Sequence, residues 1–135
     1  MQTFLPYPDF RKSAKCLDYK RLGKQRVEAR QILDCITTPN TWRNHPAVLM
    51  WEKHTSVLKL YYNHMVEEWI ARGYNNTMDL YTVSYIYEYP RWFGDQRFHA
   101  SHRSNLLRKN PEYYSQFQWT ESNNLPYFWP TKEGY

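Results

Sequence analysis

Apolar and polar positions between Leu17 and Ile36 repeat with a helical period. At 3.6 residues per turn, Leu22, Ala29, Ile32, Leu33 and Ile36 share one side, a stripe that faces a core. Arg21, Gln25 and Glu28 follow each other at i, i+4 and i+7, so they form a polar row along its edge. Lys24 stands one turn before Glu28 on the outer side of that row. Ahead of this helix, Asp9 suits the N-cap of a short helix that reaches about Cys16 and can run on into the main one. Met1 to Pro8 read as an extended arm, because Pro6 and Pro8 block regular structure.

The same pattern places the remaining elements. The main helix frays after Ile36, at residues 37–40, and Gly23 inside it marks the close approach of a neighbour or ligand. Pro46, capped by Asn44 or His45, starts another helix. The register Val57/Leu58, Tyr61, Met65, Trp69 then describes a long amphipathic helix to about Arg72, stopped by Gly73. Residues 74–96 lack a period; 81–87 are rich in β-formers, and 89–95 read as a turn-laden loop. Helix resumes at Phe98, Pro111 opens a last turn through Tyr113 and Tyr114, and the aromatic tail from Ser122 to Tyr135 is expected to wrap the body.

Composition narrows what such a chain can bind. A length of 135 residues fits one domain, 1–135, and no apolar run approaches a membrane span. Without a leader pattern the expected location is the cytoplasm, with Cys16 and Cys35 as reduced thiols. Lys plus Arg outnumber Asp plus Glu 18 to 13, which suggests a polyanionic partner. The 13 Tyr and 6 Trp suit stacking on bases, but they also suit packing in a core short of Leu and Ile.

The chain has no glycine-rich phosphate loop, no C-x-x-C, no H-E-x-x-H and no G-x-S-x-G. His99 and His102 lie one turn apart, but lack a third ligand nearby, so neither a metal nor a cofactor is expected. What remains is acid and base work by Glu28, amines such as Lys24, and the cations Lys20, Arg21, Lys24, Arg26 and Arg30 on one helix. Ser101, His102 and Arg103 beside Arg108 and Lys109 form a second expected phosphate-contact zone. A carboxylate next to an amine is the unit of a DNA glycosylase with lyase activity: the amine attacks C1′, and the carboxylate stabilises the sugar cation or moves protons. An ordinary surface pair of Lys24 and Glu28 is the plainer alternative.

Four stretches carry a resemblance: residues 1–10, residues 17–29, Asn44-His45-Pro46-Ala47-Val48, and residues 98–104. They resemble a family of small bacterial and phage proteins grouped with the pyrimidine-dimer DNA glycosylases of the phage endonuclease V type. The resemblance implies a compact all-α domain of about three to five helices, with an extended N-terminal arm against the basic helix and long irregular loops. It implies Glu28 as the catalytic carboxylate and the Met1 α-amine as nucleophile. Gln2 is large, so Met1 is expected to be retained; the Met1 amine serves, or Lys24 does, or there is no lyase step. Lys20, Arg21, Arg26, Arg30 and Arg103 would grip phosphates, with His45, His99, Ser101 and His102 on the same nucleic-acid-binding surface and Trp92 or Tyr19 near the extruded base. The expected partner is duplex DNA carrying a damaged or modified pyrimidine. Two alternatives stand beside it: a non-catalytic protein that binds nucleic acid or sequesters a nucleotide, and an interaction protein whose aromatics are simply core.

Overall fold

Side-chain caps set where four of the helices start. Asp9 caps α1 (Phe10–Cys16) by accepting from the Lys12 N–H at 2.8 Å. His45 caps α3 (Pro46–Leu49) through its Nδ1, which accepts from the Ala47 N–H at 3.0 Å. Asp95 caps α5 (Gln96–Lys109), and Asn110 caps the single turn α6 (Pro111–Tyr114). Between them lie the long helices α2 (Tyr19–Thr37) and α4 (Thr55–Ala71), the latter ending ahead of Gly73, whose φ of 85° is the left-handed conformation that glycine adopts freely. A short 3-10 turn, Ser115–Phe117, follows α6. The computed structural model describes residues 1–38 and 41–131, and among them the fold is all-α. The six helices slightly exceed the expected three to five.

Of the two paths open after Cys16, the chain takes the broken one: Leu17 is extended and fully buried, and this break sets Asp18 at the head of α2. The β-formers of residues 81–87 stay irregular, in keeping with an all-α fold with long loops. A strand needs a neighbouring ladder; here the segment returns alongside α4, where Asn63 bonds both the N–H and the carbonyl of Tyr81 at 2.9 Å. The fraying expected at residues 37–40 falls partly on Pro39 and Asn40, and the tail in part on 132–135; these lie outside the described residues.

The core is aromatic and lies between α2, α4 and α5. Trp51, Trp92, Tyr61, Tyr62, Tyr114 and Phe98 are all fully buried. Trp51 meets Trp92 edge to face at 4.9 Å, and Trp92 packs on Phe98 at 4.8 Å. α2 and α4 approach closely at Gly23, where a Cβ would stand 3.1 Å from the Trp69 ring. The close neighbour is thus a tryptophan of the same chain. Packing takes most of the aromatic excess that composition also suited to base stacking.

The arm is the unusual element. Residues 2–6 are buried, although they form no helix or strand, so side chains must satisfy their peptide groups. Gln25 accepts from the Phe4 N–H at 2.9 Å, and the Tyr61 hydroxyl donates to the Phe4 carbonyl at 2.9 Å. His102 Nδ1 accepts from the Leu5 N–H at 2.8 Å, while His99 Nδ1 lies 2.7 Å from the Leu5 carbonyl. Arg103 donates to the Pro6 carbonyl at 2.7 Å. The arm therefore threads between α2, α4 and α5 and brings Met1 out beside α2.

Candidate functional site

Where the arm emerges, a cleft of about 380 Å³ opens along α2. α2 contributes Lys20, Arg21, Lys24, Gln25 and Glu28; the arm contributes Met1, Gln2 and Phe4; Lys109 and Tyr127 close the far side. The helical period explains the α2 set, since these five positions fall within one broad stripe of the helix. All three catalytic candidates of the sequence, Met1, Lys24 and Glu28, line this one cleft, together with Lys20 and Arg21. Met1 also borders a second recess of about 360 Å³ lined by Gln31, Asp34, Cys35 and the exposed Trp42.

Glu28 is half-buried and accepts at Oε2 from Gln25 Nε2 at 3.0 Å. Its charge reaches the buried Tyr61, whose phenol is held well above its ordinary value by burial first and by Glu28 next. Arg21 is oriented by Asp18, with its Nη1 3.2 Å from both carboxylate oxygens. Asp18 is oriented in turn by Tyr114, whose hydroxyl donates to Oδ1 and accepts from the Asp18 N–H at 3.0 Å. Among the described residues, no carboxylate lies within ion-pairing distance of Lys20, Lys24 or Lys109. The cleft therefore presents cations around a single carboxylate, an arrangement that attracts a polyanion and holds a negative charge at its centre.

Several expected contacts are corrected by burial. Trp92 is 1% exposed and donates its indole N–H to the Met50 carbonyl at 3.2 Å, so it cannot meet an extruded base. His99 and His102 are fully buried and serve the arm. Burial keeps both rings neutral, lowering His102 to about 3. Ser101 is buried, donates to the Phe98 carbonyl at 2.7 Å and accepts from the Phe128 N–H at 3.1 Å, tying down the C-terminal segment. Arg103 grips both oxygens of Glu121 at 2.9 Å, and this pairing lowers the Glu121 carboxyl. These polar groups face inward because the arm and tail supply peptide groups for them.

Arg26 and Arg30 are each two residues from Glu28, about 200° round the helix, and so lie off the cleft. Arg26 stacks on Trp69 at 4.0 Å and donates to Asn76. Tyr19 lies with Trp69 and Tyr74 on an outer patch and does not line the cleft. His45 spends its Nδ1 on the α3 cap, and burial, then the charge of the α-amine, lower its imidazole from the ordinary value. Lys109 joins the cleft from the second expected phosphate-contact zone, while Gln25 and Tyr127 are cleft residues that the sequence did not single out as site residues. Gln25 was visible in the row with Arg21 and Glu28, and Lys109 in the last turn of α5, whereas Tyr127 gave no signal.

No curated protein and no solved structure matches the chain. The family model described as pyrimidine dimer DNA glycosylase does match, over residues 1–82. That span holds the arm and α1 through α4, and with them Met1, Lys20, Arg21, Lys24, Gln25 and Glu28. The chain belongs to the pyrimidine dimer DNA glycosylase family.

Proposed function

We propose that the protein releases a damaged or modified pyrimidine from duplex DNA, with Glu28 as the catalytic carboxylate and the Met1 α-amine as the nucleophile. The observation that carries this reading is the convergence of Met1, Glu28, Lys20, Arg21 and Lys24 on one cleft, within the span that the family shares. The neutral amine nitrogen adds to C1′ of the lesion nucleotide as the N-glycosidic bond breaks. The base departs with that electron pair and takes up a proton. Glu28, as carboxylate, stabilises the positive charge that builds on the sugar and accepts the proton shed by the attacking nitrogen. The sugar ring then opens to a Schiff base as the proton held by Glu28 passes to O4′, and transfer of a C2′ proton to water expels the 3′-phosphate. Lys20, Arg21 and Lys109 hold phosphates on either side of the extruded nucleotide. Lys24, one turn before Glu28, is the second amine within the same cleft.

Glu28→Gln keeps the size of the side chain and its contact with Gln25 while removing the charge. Cleavage of the glycosidic bond in a dimer-containing duplex is expected to fall by at least a hundredfold, about 3 kcal/mol of transition-state stabilisation. DNA affinity should hold or rise, since a negative charge leaves the cationic cleft. Full activity in this variant would overturn the assignment of Glu28. Tight, salt-sensitive DNA binding by the wild-type protein with no base release on any lesion would leave a binding protein on the same scaffold.

A further inference from the structure

We propose that Gln25 is the positioning residue of the cleft: its carboxamide, locked by the N-terminal arm and α4, sets the Glu28 carboxylate at its working position. The proposal rests on the glycosylase reading for what Glu28 does, but not for how Glu28 is held. Gln25 is 1% exposed, and its Oε1 accepts from the Phe4 N–H at 2.9 Å. A backbone N–H can only donate, so this contact fixes which end of the amide faces the arm. The Tyr61 hydroxyl bonds the same oxygen and the Phe4 carbonyl. A flipped amide would set its own N–H groups against the Phe4 N–H and leave a buried donor without an acceptor. Nε2 must therefore face the cleft, where it donates to Glu28 Oε2 at 3.0 Å.

This orientation has two consequences. One carboxylate oxygen of Glu28 is tied to the protein interior, while Oε1 has no protein hydrogen-bond partner among the described residues and is left for the nucleotide or the amine. The same amide also grips the arm three residues after Met1, so one side chain sets the spacing between the two groups that would do the chemistry. A merely structural Gln25 would hold the arm and leave Glu28 indifferent to it.

Gln25→Glu separates these roles. One carboxylate oxygen can still accept from the Phe4 N–H and the Tyr61 hydroxyl, but the neutral donor facing Glu28 is replaced by a second carboxyl, which competes with Glu28 for a proton and so disturbs its charge. With the folded state checked by its melting temperature, kcat for base release is expected to fall at least tenfold, and DNA affinity by a smaller factor, since an acidic group is added to the cationic cleft. The second measurement needs no activity and uses the wild-type protein: side-chain amide NMR of Gln25 during a carboxylate titration. The Gln25 Nε2 resonance is expected to move with Glu28 protonation, and to lose that movement in Glu28→Gln. An amide insensitive to Glu28 overturns the proposal, as does a wild-type kcat in Gln25→Glu. A coupled amide in a wild-type protein that releases no base would sustain the positioning of Glu28 by Gln25 and sink the glycosylase reading.

Discussion

Tyr114 shows how much a single buried hydroxyl carries. It donates to Asp18 Oδ1 and accepts from the Asp18 N–H, and Asp18 then orients Arg21 toward the cleft. Burial, followed by this bond, raises the Tyr114 phenol well above its ordinary value, so it stays a donor across the accessible pH range. Tyr114→Phe removes both contacts and leaves a buried peptide N–H and a mostly buried carboxylate short of partners. The expected cost is about 2 kcal/mol, read as a lower melting temperature. DNA affinity should weaken along with it, through Arg21. Unchanged stability and affinity would mean that Asp18 is held by something else.

Elements were legible in the sequence where a period or a cap decided them. The stripe of α2, the Asp9 cap, Pro46 at the head of α3 and the register of α4 all appear as read. The cleft half on α2 was legible for the same reason, because Arg21, Gln25 and Glu28 must share a face if the helix forms. What local pattern cannot carry is the path of the arm. Its prolines announce extended chain, but its route through the core depends on acceptors and donors far away in sequence, at Gln25, Tyr61, His99 and His102. For that reason His99, Ser101 and His102 looked like surface polar groups beside basic residues, while they are interior partners for arm and tail. Trp92 misled similarly: its loop setting suggested exposure, but its ring completes the core with Trp51 and Phe98. At the same scale, Gly23→Ala tests the α2–α4 contact. Helix propensity favours Ala by about 1 kcal/mol. The added methyl would meet the Trp69 ring at 3.1 Å, and that ring is held by Tyr19, by Arg26 and by a 2.7 Å bond to the Asn75 carbonyl. A ring so held cannot easily yield, so overpacking is expected to win, with a net loss of about 1 kcal/mol in a denaturant melt. A gain in stability would show that the ring gives way.

For the whole molecule, the buried histidines couple the arm to pH. Burial lowers His99 and His102 in the fold, the latter to about 3 from an ordinary 6.5. Both groups are therefore neutral when folded and take up protons more readily when unfolded. Their contribution is full above pH 6.5 and is lost as pH falls toward their folded values, by up to about 1.4 kcal/mol per pH unit for each group. The melting temperature should decline below pH 6.5, and His102→Gln, which keeps an acceptor for the Leu5 N–H, should flatten that decline. Equal slopes would contradict this source. Charge acts on the same scale. If Lys20, Arg21, Lys24 and Lys109 contact phosphates, the logarithm of duplex affinity should fall against the logarithm of salt with a slope near −3 to −4. A slope near zero would remove DNA from the cleft. The most direct measurement is borohydride trapping on a duplex with an abasic site or a pyrimidine dimer, followed by mapping of the linked residue. The account predicts a covalent adduct on the Met1 nitrogen that disappears when the α-amine is blocked. An adduct on Lys24 that survives that block would move the nucleophile onto α2, and no adduct on either duplex would contradict amine chemistry in this cleft.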